Sequence, residues 1–257
     1  MHFQRAIVRT PGTSFAEGIT SAELGAPNLV LALKQHQAYR AALENCGVAL
    51  IVLEPDKQFP DSTFVEDTAV LTRHSAILTH PGASSRRGEV AGVEPIIAQH
   101  FERLYSIQPP GTLDGGDICQ AGDHFFIGIS ERTNAEGAQQ LASILAQDGY
   151  SSSFVDLRGH EGLLHLKSGI AYLGDQRLVL IKGLEDLTSF EGYEIIAVDE
   201  DESYAANCVR VNDFVLVAAG YPKFSTNLAN MGYQIMPLEV SEFQKMDGGL
   251  SCLSLRF

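Results

Sequence analysis

The chain is short of positive charge. Its 257 residues carry 18 Lys and Arg against 32 Asp and Glu, a formal net charge of -14, and that balance excludes nucleic acid and anionic membrane surfaces as natural partners. Long apolar runs are also lacking. The opening stretch from Met1 to Arg9 is interrupted by Arg5, so no signal peptide is expected, and no run elsewhere approaches the roughly 20 residues that cross a bilayer. A cytoplasmic location is expected. Cys46, Cys119, Cys208 and Cys252 show no CxxC spacing, which in a reducing compartment points to free thiols rather than disulfides or a zinc site. No EF-hand or HExxH spacing appears. No change in composition marks a linker, so the chain reads as a single domain over residues 1–257.

What is present is a repeated local pattern: a small or acidic cluster, a short strand, a tight polar turn and a second apolar strand. FVEDTAVLT turns at Arg73-His74-Ser75 into AILT, and LDGGDICQ turns at Ala121-Gly122-Asp123 into HFFIGI. Lys167-Ser168-Gly169 leads into IAYL, which turns at Gly174-Asp175-Gln176 into RLVLI; Ala206-Asn207 leads into CVRV, which turns at Asn212-Asp213 into FVLVAA. The fifth copy, MDGGLSCLSLRF, ends the sequence. Asp67, Asp117, Gly169, Asn207 and Gly249 open these copies at intervals of 50, 52, 38 and 42 residues, within the range of structural repeats.

Helical patterns fall between the copies. Pro27 to Cys46 has Val30, Leu33, Tyr39 and Leu43 on its expected inner face and stops at Gly47. Thr133 and Glu136 have the spacing of a capping box ahead of Ala138, Leu141, Ile144 and Leu145, and Ser225 to Met231 forms a shorter helix. The fold class is therefore α/β. If five such units close around an axis, the residues that open each hairpin meet at one end of it.

Glu66, Asp67, Asp114, His165, Ser168 and Cys252 occupy or flank those openings. Cys252 follows two glycines that let a ligand approach the backbone closely, although a lone cysteine is more often a small buried hydrophobe. His165 sits among leucines, as a core histidine would, yet it is the only one of eight histidines that begins a recurrent hairpin, which favours it as the acid or base partner of Cys252. Asp114 either orients that imidazole or simply precedes a glycine turn. Asp61, Glu66, Asp67, Asp114, Asp117 and Asp247 make the expected mouth acidic, which suits a multi-donor cation, guanidinium above all, with a magnesium or calcium site as the competing reading. Arg132 precedes the expected helix start, where its charge and the helix N-terminus both attract a carboxylate.

FPDSTFVED, SRRGE, LDGGD, GISERTNAEGA, LLHLKSG, ESYAANC and MDGGLSC jointly resemble the dimethylarginine dimethylaminohydrolase family of the guanidino-group-modifying superfamily, over nearly the whole chain. The resemblance implies a five-bladed α/β propeller with pseudo-five-fold repeats, a single catalytic domain, no cofactor or metal, and hydrolysis of Nω-methylated arginines to citrulline. It implies Cys252 as nucleophile, His165 as proton donor and later base, and Asp114 as the carboxylate that holds it. By the same resemblance Asp61 receives the substrate α-amine, Glu66 and Asp67 line the guanidinium pocket, and Arg86 and Arg132 pair with the α-carboxylate. The Met246 backbone and the Ser168 and Asp247 side chains complete the site, Ile19 rides on a lid, and a homodimer is the expected assembly. An arginine deiminase acting on unmodified arginine and a non-catalytic propeller binding module are the competing readings.

Overall fold

Fifteen strands sort into five sheets of three in the computed structural model, which describes residues 2–160, 162–184 and 188–257. In chain order they are β1 (Arg5–Arg9), β2 (Ala49–Leu53), β3 (Ala69–Leu71), β4 (Ala76–Leu78), β5 (Leu104–Ser106), β6 (Ile118–Ala121), β7 (His124–Ile129) and β8 (Ser151–Asp156). There follow β9 (Ile170–Gly174), β10 (Arg177–Ile181), β11 (Glu194–Val198), β12 (Val209–Val211), β13 (Phe214–Ala218), β14 (Gln234–Leu238) and β15 (Leu255–Arg256). The sheets run β3-β4-β5, β6-β7-β8, β9-β10-β11, β12-β13-β14 and β15-β1-β2. In each, an antiparallel pair is extended by a parallel third strand. The middle strands are buried along nearly their whole length, which is why AIL, HFFIGI, RLVLI and FVLVA read as continuous apolar runs rather than as alternations.

The hairpin turns fall where the polar residues predict. Asp175 and Gln176 both take positive φ, 50° and 56°, the backbone that a two-residue connection between twisted strands requires. The fifth copy departs from the expected pattern. Its strand β15 has no following partner and pairs instead with β1, so the two ends of the chain make the last hairpin together.

Two helix readings need correction. The long helix α1 (Leu29–Asn45) is capped by the Asn28 side chain on the Leu31 amide, and it buries Ala32, Gln35, His36, Tyr39, Ala42 and Leu43. Val30 and Leu33 point outward, with Val30 65% exposed. The helix Ala135–Gln147 is capped by Asn134, not Thr133, because the Thr133 hydroxyl is already donated to Asp117 at 2.6 Å.

A 3-10 turn precedes the first strand of every sheet: Val65–Thr68, Gly115–Asp117, Leu166–Ser168, Glu200–Ala206 and Ser251–Leu253. These turns contact one another in succession, and the Asn207 side chain accepts the Ser251 amide at 2.9 Å to link the fourth to the fifth. Asp117, expected at an acidic mouth, is fully buried inside this ring. It accepts hydrogen bonds from the Ser130 and Thr133 hydroxyls and the Leu166 amide at 2.7, 2.6 and 3.0 Å, tying the second turn to the third. Asp117→Ala strands three buried donors and is expected to lower the unfolding free energy by about 3 kcal/mol, read from the midpoint shift in urea at unchanged m-value. Among the described residues no helix is long and apolar enough to cross a membrane, and all four cysteines are free and buried.

Candidate active site

The stretch between a one-turn helix, Ser241–Gln244, and β15 delivers Cys252. Asp247 takes the left-handed conformation, φ 57°, and sends the chain through Gly248 and Gly249 into the Ser251–Leu253 turn. Any side chain at position 249 would strike Asn207, at 2.6 Å from its Cγ, so the second glycine is a requirement of packing. Cys252 then lines a small cavity with His165, Asp67, Asp61, Arg86, Arg132, Ile19, Phe64, Leu164, Met246, Asp247 and Gly248.

His165 Nε2 lies 3.1 Å from Asp114 Oδ2 and 4.0 Å from Asp67 Oδ1. Asp114 is itself fixed by the Gly82 amide at 2.9 Å. Burial acts against the imidazolium, but the charge of Asp67, the hydrogen bond with Asp114 and the charge of Asp117 outweigh it, and the pKa rises to about 9. Asp67 shows the opposite balance. Burial would raise it, yet His165 and the Arg86 guanidinium hold it down to about 2. The close approach of Gly116 to both groups leaves no room for a Cβ, which would sit 2.8 Å from Asp67 Oδ1 and from the His165 ring. For Cys252, burial first and then the charges of Glu66 and Asp67 push the thiol up to about 12. At neutral pH the empty site therefore holds a thiol beside an imidazolium.

The adjacent carboxylates Glu66 and Asp67 part company. Asp67 turns into the cavity, where Arg86 Nη1 reaches it at 2.5 Å and the Gly116 amide at 2.8 Å. Glu66 lines a second cavity, of about 160 Å³, bounded by the first strands of the five sheets, and there it meets Lys167 Nζ at 2.7 Å and Arg256 Nη2 at 3.0 Å. Ser168 also falls outside the Cys252 cavity. It lines a neighbouring depression of about 570 Å³ that shares Leu164, Asp247 and Gly248 with it.

The two arginines are not equivalent. Arg86 is buried and grips Glu89 with two bonds, at 3.0 and 2.8 Å, besides Asp67 and the Phe64 carbonyl at 3.1 Å. Of its five N–H groups four are spent, leaving one for a ligand. Arg132 has no ion pair among the described residues and presents its whole guanidinium.

A segment around Ile19 covers the cavity. The Ile19 amide donates to Asp61, at 3.1 and 3.2 Å from its two oxygens, and the Ser21 amide and hydroxyl donate to Asp247 Oδ2 at 2.5 and 3.0 Å. The free space among these residues is about 30 Å³, room for about two water molecules.

Asp67, Asp114 and His165 present ligand atoms within 4.8 Å of one another, a spacing a metal ion can use. Both carboxylates are instead already bonded to cations of the protein, Arg86 and the imidazolium, and to backbone amides. Asn207, Lys167, Phe64 and Leu164 were not singled out from the sequence as site residues. Asn207 and Lys167 both lie at hairpin openings, which was the available signal.

The model of a family described as arginine deiminase matches residues 29–188. An N(G),N(G)-dimethylarginine dimethylaminohydrolase of Pseudomonas aeruginosa is 46% identical over 99% of this chain and 100% of its own. One from Streptomyces coelicolor is 36% identical over 100% of this chain and 98% of its own. Among solved structures, a cysteine-to-serine mutant of the Pseudomonas aeruginosa enzyme complexed with citrulline superposes with a TM-score of 0.97, at 45% identity and full coverage of both chains. A histidine-to-glycine dimethylarginine dimethylaminohydrolase carrying an adduct with S-methyl-L-thiocitrulline gives 0.96 at 46% identity, over 99% of this chain and 100% of that one.

Proposed function

Because the chain belongs to the dimethylarginine dimethylaminohydrolase family, we propose that it hydrolyses Nω-methylated arginines, asymmetric dimethylarginine and monomethylarginine, to citrulline and the corresponding methylamine. The observation that carries this reading is one cavity lined by both Cys252 and His165, with Asp114 behind the imidazole and carboxylates around it.

The chemistry follows from the pocket. A guanidinium carbon is electrophilic but resonance-stabilised, and an amine departs only once protonated. Cys252 Sγ, as thiolate, bonds to the guanidino carbon, and the His165 imidazolium gives its proton to the methylated nitrogen as the C–N bond breaks. This leaves an S-alkylthiouronium on Cys252 and a neutral imidazole. The imidazole then takes a proton from water as its oxygen attacks the same carbon. The C–S bond then breaks and the proton left on the new hydroxyl passes to the departing sulfur, which releases citrulline and restores the Cys252 thiol beside the His165 imidazolium. Asp114 keeps the ring oriented throughout. Asp67 faces the guanidinium, Asp61 receives the α-amine, Asp247 and the Met246 backbone border the ligand, and Ile19 closes over it. Glu66 and Ser168 act from the adjoining cavities rather than by lining this one.

Arg132 is the main partner of the α-carboxylate, since Arg86 is braced by Glu89 and Asp67. Arg132→Met is expected to raise KM by about 100-fold, the loss of one buried charge-assisted pair, with kcat changed by less than about threefold. Steady-state kinetics check it, and an unchanged KM would remove Arg132 from substrate binding.

The five sheets with successive contacts at their opening turns support a five-bladed propeller closed about one axis, in a single catalytic domain. The four unpaired thiols support a reducing, cytoplasmic setting. Assembly as a homodimer is the family expectation, and light scattering tests it. Product identification with asymmetric dimethylarginine, monomethylarginine and arginine offered side by side tests the activity. Dimethylamine and methylamine are expected; ammonia from arginine as the preferred reaction would instead make the chain an arginine deiminase.

A further inference from the structure

Behind the Cys252 turn, on the side away from the substrate cavity, lies a charged cluster that the reaction itself does not use. Glu66 is buried, and one oxygen, Oε1, takes both Lys167 Nζ at 2.7 Å and Arg256 Nη2 at 3.0 Å. Its other oxygen, Oε2, is buried with no partner among the described residues. Arg256 is held in turn by the Ser251 and Ser254 carbonyls at 3.2 and 3.1 Å and the Ser254 hydroxyl at 2.7 Å; that hydroxyl also meets Tyr39 Oη at 2.6 Å. The chain places the two cations close to the reacting groups: Lys167 is two residues after His165, and Arg256 is four after Cys252.

We propose that Lys167 and Arg256 are positioning residues that act through Glu66: by neutralising this carboxylate from the axial cavity, they limit the negative field on Cys252 Sγ and so set the reactivity of the thiol. The inference rests on the reading of Cys252 as nucleophile and extends it to groups that never touch substrate.

The reasoning is electrostatic. The turn that carries Glu66, Val65–Thr68, packs directly against the turn that carries Cys252, Ser251–Leu253; a buried carboxylate so placed opposes ionisation of the thiol, and after burial its charge is the largest influence raising it. Two cations on a single carboxylate oxygen are one more than a structural ion pair needs. The second reduces the carboxylate's net effect at the sulfur, where the charge of Asp67 acts in the same direction as that of Glu66. Removing a cation should therefore suppress the thiolate, and removing Glu66 should favour it. Removing Glu66 together with Lys167 should return the sulfur to nearly its original field.

The test measures the thiol directly and needs no turnover. Below the thiol pKa the rate of alkylation is proportional to the thiolate fraction, so the second-order rate constant of iodoacetamide with Cys252 at pH 8, followed by mass mapping of the 252 peptide, reports the field. Lys167→Met is expected to slow alkylation by about tenfold, and Glu66→Gln to accelerate it by about tenfold, each being one pKa unit from one partly screened buried charge. The double variant should fall within about threefold of the unmodified protein, and Lys167→Arg should keep the original rate. A merely structural pair would make both single variants change in the same direction, and the double variant would be worse than either. That pattern, or a Lys167→Met rate equal to the original, overturns the proposal. Absence of citrulline formation by the unmodified protein would overturn the activity instead, and leaves the alkylation comparison readable.

Discussion

Cys252→Ser will form no detectable citrulline, a loss of at least about 10⁵-fold in kcat. A serine in a serine hydrolase is rescued by a neutral imidazole that takes its proton. Here His165 is held as imidazolium up to about pH 9 by Asp67 and Asp114, so at neutral pH it has a proton to give and none to accept. The hydroxyl then has no base, whereas a thiol ionises far more readily. The substitution removes no hydrogen bond except the long 3.8 Å contact with Ser251, so the fold and the substrate cavity should survive, and calorimetry should still detect binding of asymmetric dimethylarginine. Single-turnover assays by mass spectrometry check the covalent step: a 252-peptide adduct with the original cysteine and none with serine. Full turnover by the serine variant would mean that some other group attacks the substrate, and Cys252 would lose its place as nucleophile.

The repeat was legible in the sequence because each copy is a local event. A turn such as Asp175-Gln176 needs residues that tolerate positive φ, and a middle strand such as β10 needs an unbroken apolar run, and both signals lie within a dozen residues of each other. The last sheet was not legible as such, since β15 finds its partner in β1 at the other end of the chain. The inner face of α1 was misread for a different reason. Tyr39 and Leu43 do face inward, but polar Gln35 and His36 occupy the buried stripe of the first turns, with Gln35 satisfied there by Ser241 and the Glu242 amide at 2.8 and 3.0 Å, so hydrophobicity put Val30 and Leu33 on the wrong side.

In the site, the gathering of Cys252, His165, Asp114 and Asp67 followed from their common position at the hairpin openings. Side-chain direction did not follow from it. Adjacent residues on extended chain face opposite ways, and Glu66 and Asp67 obey that rule in spite of the 3-10 turn they share, so only Asp67 reaches the substrate cavity. Arg86 was assigned to the ligand by the resemblance that its SRRGE motif carries, which says nothing of its partners inside the fold. Its buried partner Glu89, raised to about 7 by burial even beside a guanidinium, belongs to the same SRRGE motif and commits Arg86 to the frame.

Substrate should generate its own nucleophile. In the empty site the Cys252 thiol is pushed up to about 12, mainly by burial and then by Glu66 and Asp67, so almost none is ionised at pH 7.5. A guanidinium carbon brought within about 4 Å of Sγ adds a positive charge worth about 4 kcal/mol at an effective dielectric of 20, equivalent to about three pKa units. Titrating thiolate absorbance at 240 nm, with and without a saturating guanidinium analogue that has no leaving group, is expected to show the Cys252 transition about three units lower in the complex. The three other cysteines act as the reference, since burial is the main cause that raises Cys119 and Cys208 to about 12 and Cys46 to about 11. The sign follows from linkage. The analogue binds the thiolate form better, so its affinity must rise with pH between the two transition values and flatten outside them. His165 limits the same window from above, because its imidazolium, needed by the leaving amine, is lost as pH rises through about 9. A Cys252 transition that does not move when the analogue binds would require the thiolate to form by proton transfer within the empty site, and the acidic walls of this cavity would then have no part in activating the sulfur.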